Sequence, residues 1–179
     1  AFPAFLAGFP PVAHLAYLPD VARLELALRD SYHAADSTPL PEDEFQRLLG
    51  TDIAGLRLML APSLRLLRSD WPVVSIWAAH HDGGDPPRPG AEDALILRPE
   101  FDPRPHRLPV GGAAFVAGLL AGWTLGDSLD AAGPLDLAGL LGEQQAKAAD
   151  KAAPKPLAPK APHFPAKARN CIFIFFEGG

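Results

Sequence analysis

Apolar residues recur at Val21, Leu24, Leu28 and Tyr32, while Arg23, Arg29 and Asp30 fall between them. That spacing predicts an amphipathic helix over residues 20–36, with Asp20 as its cap and Ser37-Thr38-Pro39 as its end. Residues 41–49 open on three acids, which favour a helix N-terminus, and Gly50 ends this second short helix. From Thr51 to Leu60 the pattern fits either a helix or a loop followed by a strand. Residues 63–68, SLRLLR, partly alternate and read as a strand. Asp70-Trp71-Pro72 then resembles a cap with Pro in the first turn of a helix over 72–80, which would bury Val73, Ile76 and Trp77.

Residues 81–92 hold three Gly and three Pro in twelve positions and form a loop. The run at 94–98, ALILR, is a strand, and 104–108, RPHRL, its antiparallel partner. Pro99, Pro103 and Pro105 place that hairpin at a sheet edge. Residues 110–121 form a small-residue helix. Thr124-Leu125-Gly126-Asp127 is a capping box opening another helix to about residue 132. Pro134 breaks that helix, and Asp136 caps a last one reaching towards Ala149. Residues 1–19 carry Pro3, Pro10, Pro11 and Pro19 among aromatics, which predicts a short helical turn and an extended lead-in packed onto the domain. The fold class is therefore α+β, with several short helices around a small, mostly antiparallel sheet from 63–68, 94–98 and 104–108. Leu24, Leu28, Tyr32, Trp71, Trp77, Phe115 and Leu119 are the expected core.

Composition sharpens the organisation. The 179 residues hold one Cys, which excludes a disulfide scaffold, and a single thiol makes no zinc site alone. No apolar run approaches the ~20 residues of a membrane-spanning helix. The chain does not begin with Met, so either its start was removed or it is a piece of a longer protein. Residues 1–142 contain ten Arg, no Lys and eighteen acids, a net of -8. Residues 143–179 contain five Lys, one Arg and three acids, a net of +3, and together they give the total of -5. This switch of cation separates a domain at 1–142 from a helix end and Pro/Lys/Ala linker at 143–169. The linker is expected to be disordered, with polyproline character. CIFIFF within 170–179 reads as a buried-strand pattern that must either pair with a sheet edge or be a second module cut short, and truncation is the favoured reading.

Candidate chemistry is sparse. His80-His81-Asp82 has no third ligand at a recognised spacing, and adjacent side chains on a helix end diverge. His33 and Asp36 read as helix-end residues. No GxSxG, GxGxxG or P-loop occurs, and Cys171 sits in an apolar run that disfavours a thiolate. Neither catalytic residues nor cofactor or metal ligands are expected. The helices at 110–121 and 124–132 have a helix-turn-helix outline, yet the second carries Asp127 and Asp130 and no base. DNA binding draws its affinity from phosphate neutralisation, so an acidic reader is a poor one. Strand addition at the 94–108 edge is the alternative, with Leu95, Leu97, Arg98, Arg104 and Arg107 as the candidate peptide- or partner-binding residues. The same prolines would make it an ordinary blunted edge.

Three runs in order, YLPDVARLELALRDSYHAADSTPL, PSLRLLRSDWPVVSIWAAHH and ALILRPEF, resemble the C-terminal domain of the HvfC/BufC-type family, proteins usually labelled as DNA-binding. GLLAGWTLGDSLDAA and LDLAGLL resemble that family's closing helices, so the resemblance spans residues 1–142. The family's helical N-terminal domain, to which the DNA-binding label mainly attaches, is missing. The resemblance implies a non-catalytic, cytoplasmic adaptor. Its partners would be a multinuclear non-haem iron enzyme that modifies ribosomally made peptides and that enzyme's precursor peptide. The iron ligands belong to the enzyme. Nucleic acid is not an expected partner of this fragment, and a membrane is not either. A transcription regulator completed by the missing domain is the rival. The tail, PLAPKAPHFPAKARNCIFIFFEGG, resembles the start of a secreted family distantly similar to sulfatases, which implies a fusion fragment or a misjoined gene as a third reading.

Overall fold

The computed structural model describes residues 2–38, 40–49, 52–135 and 174–176. In chain order its helices are α1 (Phe2–Ala7), α2 (Leu18–Tyr32), α3 (Glu42–Leu49), α4 (Val73–His81), α5 (Gly112–Leu120) and α6 (Leu125–Ala132). Its strands are β1 (Leu58–Leu60), β2 (Arg65–Leu67), β3 (Ala94–Leu97), β4 (Arg104–Arg107) and β5 (Ile174–Phe176). The fold is α+β, as the periodicities indicate. β2, β3 and β4 make an antiparallel sheet in that order, and β1 pairs separately with β5, also antiparallel.

All four residues of β3 are apolar because helices cover both faces of its sheet. Ala94 and Ile96 join Leu67 of β2 in a cluster with Leu24 of α2 and Val73, Val74 and Trp77 of α4. Leu95 belongs to the opposite cluster, with Phe115, Val116 and Leu119 of α5 and Ala132 of α6, and Leu66 and Leu97 pack against it. Leu58 and Leu60 of β1 join that second cluster, which settles residues 51–60 as a 3-10 turn at Ile53–Gly55 followed by a strand. α5 and α6 approach so closely that a Cβ on Gly118 would lie 2.8 Å from the Ser128 Oγ. Gly111, at φ 82°, starts α5 where a Cβ would lie 2.6 Å from the Ala132 carbonyl oxygen. The Thr124 box is present: its Oγ1 accepts from the Asp127 N–H at 3.1 Å and donates to the Asp127 carboxylate at 2.6 Å.

The other helix ends are held from afar, and here several expectations are corrected. Asp20 does not cap α2, which starts at Leu18 after Tyr17. Its carboxylate instead accepts from the Ser69 hydroxyl at 2.6 Å and pairs with Arg23 at 2.9 Å, tying the first turn of α2 to the β2–α4 junction. Asp70 does not cap α4 either. The distant Glu92, only 7% exposed, takes that role, accepting from the Ser75 N–H at 2.9 Å and the Ser75 hydroxyl at 2.5 Å. A carboxylate there satisfies a free amide and complements the helix dipole.

Two expected core residues are exposed. Tyr32 lies one position past Ser31, which is fully buried, so the inward stripe of α2 runs through Ser31 and turns Tyr32 outward against His33. Trp71 precedes α4, is 39% exposed and meets Tyr17 edge-on, at 6.4 Å between centroids. The lead-in is not extended: α1 is followed by a 3-10 turn at Pro10–Val12 and further turns into α2. α2 ends at Tyr32, short of Asp36. The edge assignment holds for β4 but not for β3, which is the central strand. The expected helix from Asp136, the linker and residues 170–173 lie outside the described residues. Ile174–Phe176, expected to be a strand left without a partner by truncation, instead pairs with β1. Trp77 is buried in the first cluster. Its replacement by Ala should cost about 3–5 kcal/mol in urea unfolding, and a loss near zero would show that α4 does not pack on the sheet.

Candidate docking surface

A partner that adds a strand needs an edge with outward N–H and C=O groups, and the register shows which edges have them. The Leu108 N–H bonds the Asp93 carbonyl oxygen at 2.8 Å. The β3–β4 register then makes Leu95–His106 and Leu97–Arg104 the hydrogen-bonded pairs. Residues 103, 105, 107 and 109 therefore turn their backbone groups outward. Three of these four are proline, so Arg107 alone of this set offers an outward N–H. On the opposite edge, β2 turns Leu64, Leu66 and Arg68 outward, because the Glu92 N–H bonds the Ser69 carbonyl in the same ladder. There the Leu64 N–H folds back to Ala61, and the Arg68 carbonyl accepts from Arg23 at 3.5 Å. Both edges of the three-stranded sheet are thus blunted.

The five residues expected at a binding edge do not form one surface. Leu95 is buried in the second cluster and Leu97 packs against it. Arg98 is a structural clamp: its side chain is 8% exposed, and its guanidinium donates to the carbonyls of Tyr32 and Ala34 at 2.9 Å and Ala35 at 3.2 Å. It also donates to the Asp36 carboxylate at 2.8 Å. A fork of donors at the C-terminus of α2 satisfies carbonyls that the helix leaves free and complements its dipole, which is why α2 stops at Tyr32. Arg104 pairs with Asp102 at 2.8 Å and Asp82 at 3.3 Å and lies 5.7 Å from the Trp77 ring centre. Trp77 in turn stacks on His81, whose Nδ1 lies 3.0 Å from the Trp77 carbonyl oxygen. Arg107 is exposed and lies 3.8 Å from Glu92. Of the five, Arg104 and Arg107 reach the surface along β4.

Two surface features escape the pattern reading. Phe2, Phe5 and Phe9 stack in a row along α1 and its exit, with ring centres 6.4 and 4.9 Å apart, and Phe2 and Phe5 are 59% and 57% exposed. Their spacing of three and then four residues is a helical signal that the prolines obscure. The second is the β1 edge, which takes its partner from the far end of the chain. Among the described residues, no group of three or more His, Cys, Asp or Glu is placed to hold a metal ion. No helix among them is long and apolar enough to cross a membrane.

The Arg98 clamp is testable. Arg98→Ala should lower stability by about 2–4 kcal/mol in urea unfolding, because three carbonyls lose a charged donor. Arg98→Lys should recover less than half of that loss, since a point charge cannot reproduce the fork. Equal stability of all three proteins would show that α2 needs no clamp. No protein-family model, no curated protein and no solved structure matches this chain.

Proposed function

We propose that residues 1–142 form a non-catalytic, cytoplasmic adaptor that docks on a multinuclear non-haem iron enzyme and helps present that enzyme's precursor peptide. The observation that carries this reading is how the resembling runs assemble. YLPDVARLELALRDSYHAADSTPL supplies α2, PSLRLLRSDWPVVSIWAAHH supplies β2 and α4, and ALILRPEF supplies β3. These separate runs meet in one apolar cluster around Leu24, Val73 and Ile96. They are therefore parts of one folding unit, which supports reading them together. The open aromatic row of Phe2, Phe5 and Phe9 adds the kind of apolar area that a docking partner covers.

The rival, a DNA-binding regulator, draws on α5 and α6, whose helices pack together across a short turn. Asp127 and Asp130 lie exposed on α6, and that helix carries no Lys or Arg to neutralise phosphate. The sulfatase-like fusion reading rests on the tail alone.

Co-expression with a multinuclear non-haem iron enzyme of the kind the resemblance implies, followed by affinity purification with and without its precursor peptide, tests the adaptor. The expected result is a complex that survives gel filtration. Failure to associate under both conditions overturns the proposal. Gel shifts with duplex DNA at low salt should show no complex, and tight binding that weakens steeply with salt would favour the regulator instead.

A further inference from the structure

We propose that the β1 edge is a strand-addition site for extended, uncharged, aliphatic and aromatic segments, and that the chain's own β5 is its resident occupant in cis. β1 stands apart from the three-stranded sheet, anchored by Leu58 and Leu60 on the second apolar cluster while Met59 is 50% exposed. Its ladder is supplied by Ile174–Phe176, with Leu58 opposite Phe176, Met59 opposite Phe175 and Leu60 opposite Ile174. The prolines that blunt β4 are absent from this strand: Leu58, Met59 and Leu60 each keep an N–H, so whichever parity faces β5 loses no donor.

The occupant shows the chemistry of the ligand. The segment CIFIFF carries no charge and no proline and, after Cys171, is made of β-branched and aromatic residues. Left uncovered, a segment of that composition pairs with any open edge, including that of another molecule. An open β1 edge is the complementary hazard. Pairing the two within one chain satisfies both, at a high effective concentration. The ladder is three residues long on each strand, and a two-stranded ribbon of that length is marginal on its own. The occupant is thus displaceable by a longer segment of the same character, which makes β5 an internal competitor for whatever peptide the edge accepts.

The test uses the full chain and a variant carrying both Ile174→Pro and Phe175→Pro, which removes donors at either parity of the ladder. Hydrogen exchange should quicken about tenfold or more in the variant at those amides of Leu58–Leu60 whose parity faces β5, while amides of β3 stay unchanged. The probe is a fluorescent peptide with the sequence of residues 170–177, its Cys replaced by Ser and flanked by lysines for solubility. It should bind the variant about tenfold more tightly than the unsubstituted chain, in which the edge is filled. A second variant, Phe176→Asp, must reproduce both shifts. Equal exchange in both proteins, or equal probe affinity, overturns the proposal. So does a concentration-dependent dimer of the unsubstituted chain that the proline substitutions abolish, because the strand would then belong to a second copy.

Discussion

The architecture depends on what happens at the two ends of β3. Its four residues are apolar, with Ala94, Leu95 and Ile96 buried and Leu97 partly buried between two helical layers, so its side chains add no polar contact. The polar work falls to flanking residues. Glu92, just before the strand, holds the N-terminus of α4 through Ser75, and Arg98, just after it, holds the C-terminus of α2 through three carbonyls. Each charge meets the helix end of opposite polarity. The strand that fills the core therefore also fixes where both helices of the first layer lie. Breaking either contact would leave buried or half-buried polar groups without partners, which costs more than the pairing gains.

The two layers meet different demands. α2 and α4 pack through Leu24, Val73, Val74 and Trp77, and their ends need outside help. α5 and α6 pack through small residues, with Gly118 against Ser128, and α6 carries its own cap in Thr124 and Asp127. The turn before α6 is also tied to Leu56, whose carbonyl accepts from the Leu125 N–H, and to Arg57, whose guanidinium donates to the Gly122 carbonyl. The pair has a helix-turn-helix outline, but its surface chemistry points elsewhere, since an acidic helix repels the phosphate backbone that would supply most of the affinity.

Control of sheet edges runs through the whole molecule. On β4 the prolines stand at the outward positions, where a missing N–H leaves the ladder intact and denies a donor to any newcomer. On β2 a local bond from Leu64 to Ala61 and a distant one from Arg23 to the Arg68 carbonyl engage the two ends of the edge. At β1 a strand from the same chain is used instead. While these edges are closed, the aromatic row of Phe2, Phe5 and Phe9 on α1 and its exit stays open.

Residue pattern alone was sufficient for features decided within a turn of helix or a pair of strands. The helices at 73–81, 112–120 and 125–132, the β3–β4 hairpin, the Thr124 box and the α+β class are all legible from periodicity, prolines and capping residues. It fell short wherever the deciding partner is distant in sequence. Asp20 and Asp70 look like caps because capping residues are local, yet Glu92 caps α4 and Asp20 binds Ser69, contacts that exist only once the sheet has closed. Tyr32 and Ser31 are adjacent on α2, and only the packing against β2 and β3 determines which of them faces inward. Leu95, Leu97 and Arg98 were candidates for an edge because prolines mark one nearby. Strand order put them on the central strand and at a helix clamp, and left β2 and β4 as the edges of that sheet. Local propensity acts over a few residues, whereas burial, strand order and long-range charge pairing belong to the assembled chain. Only the tertiary structure could decide them.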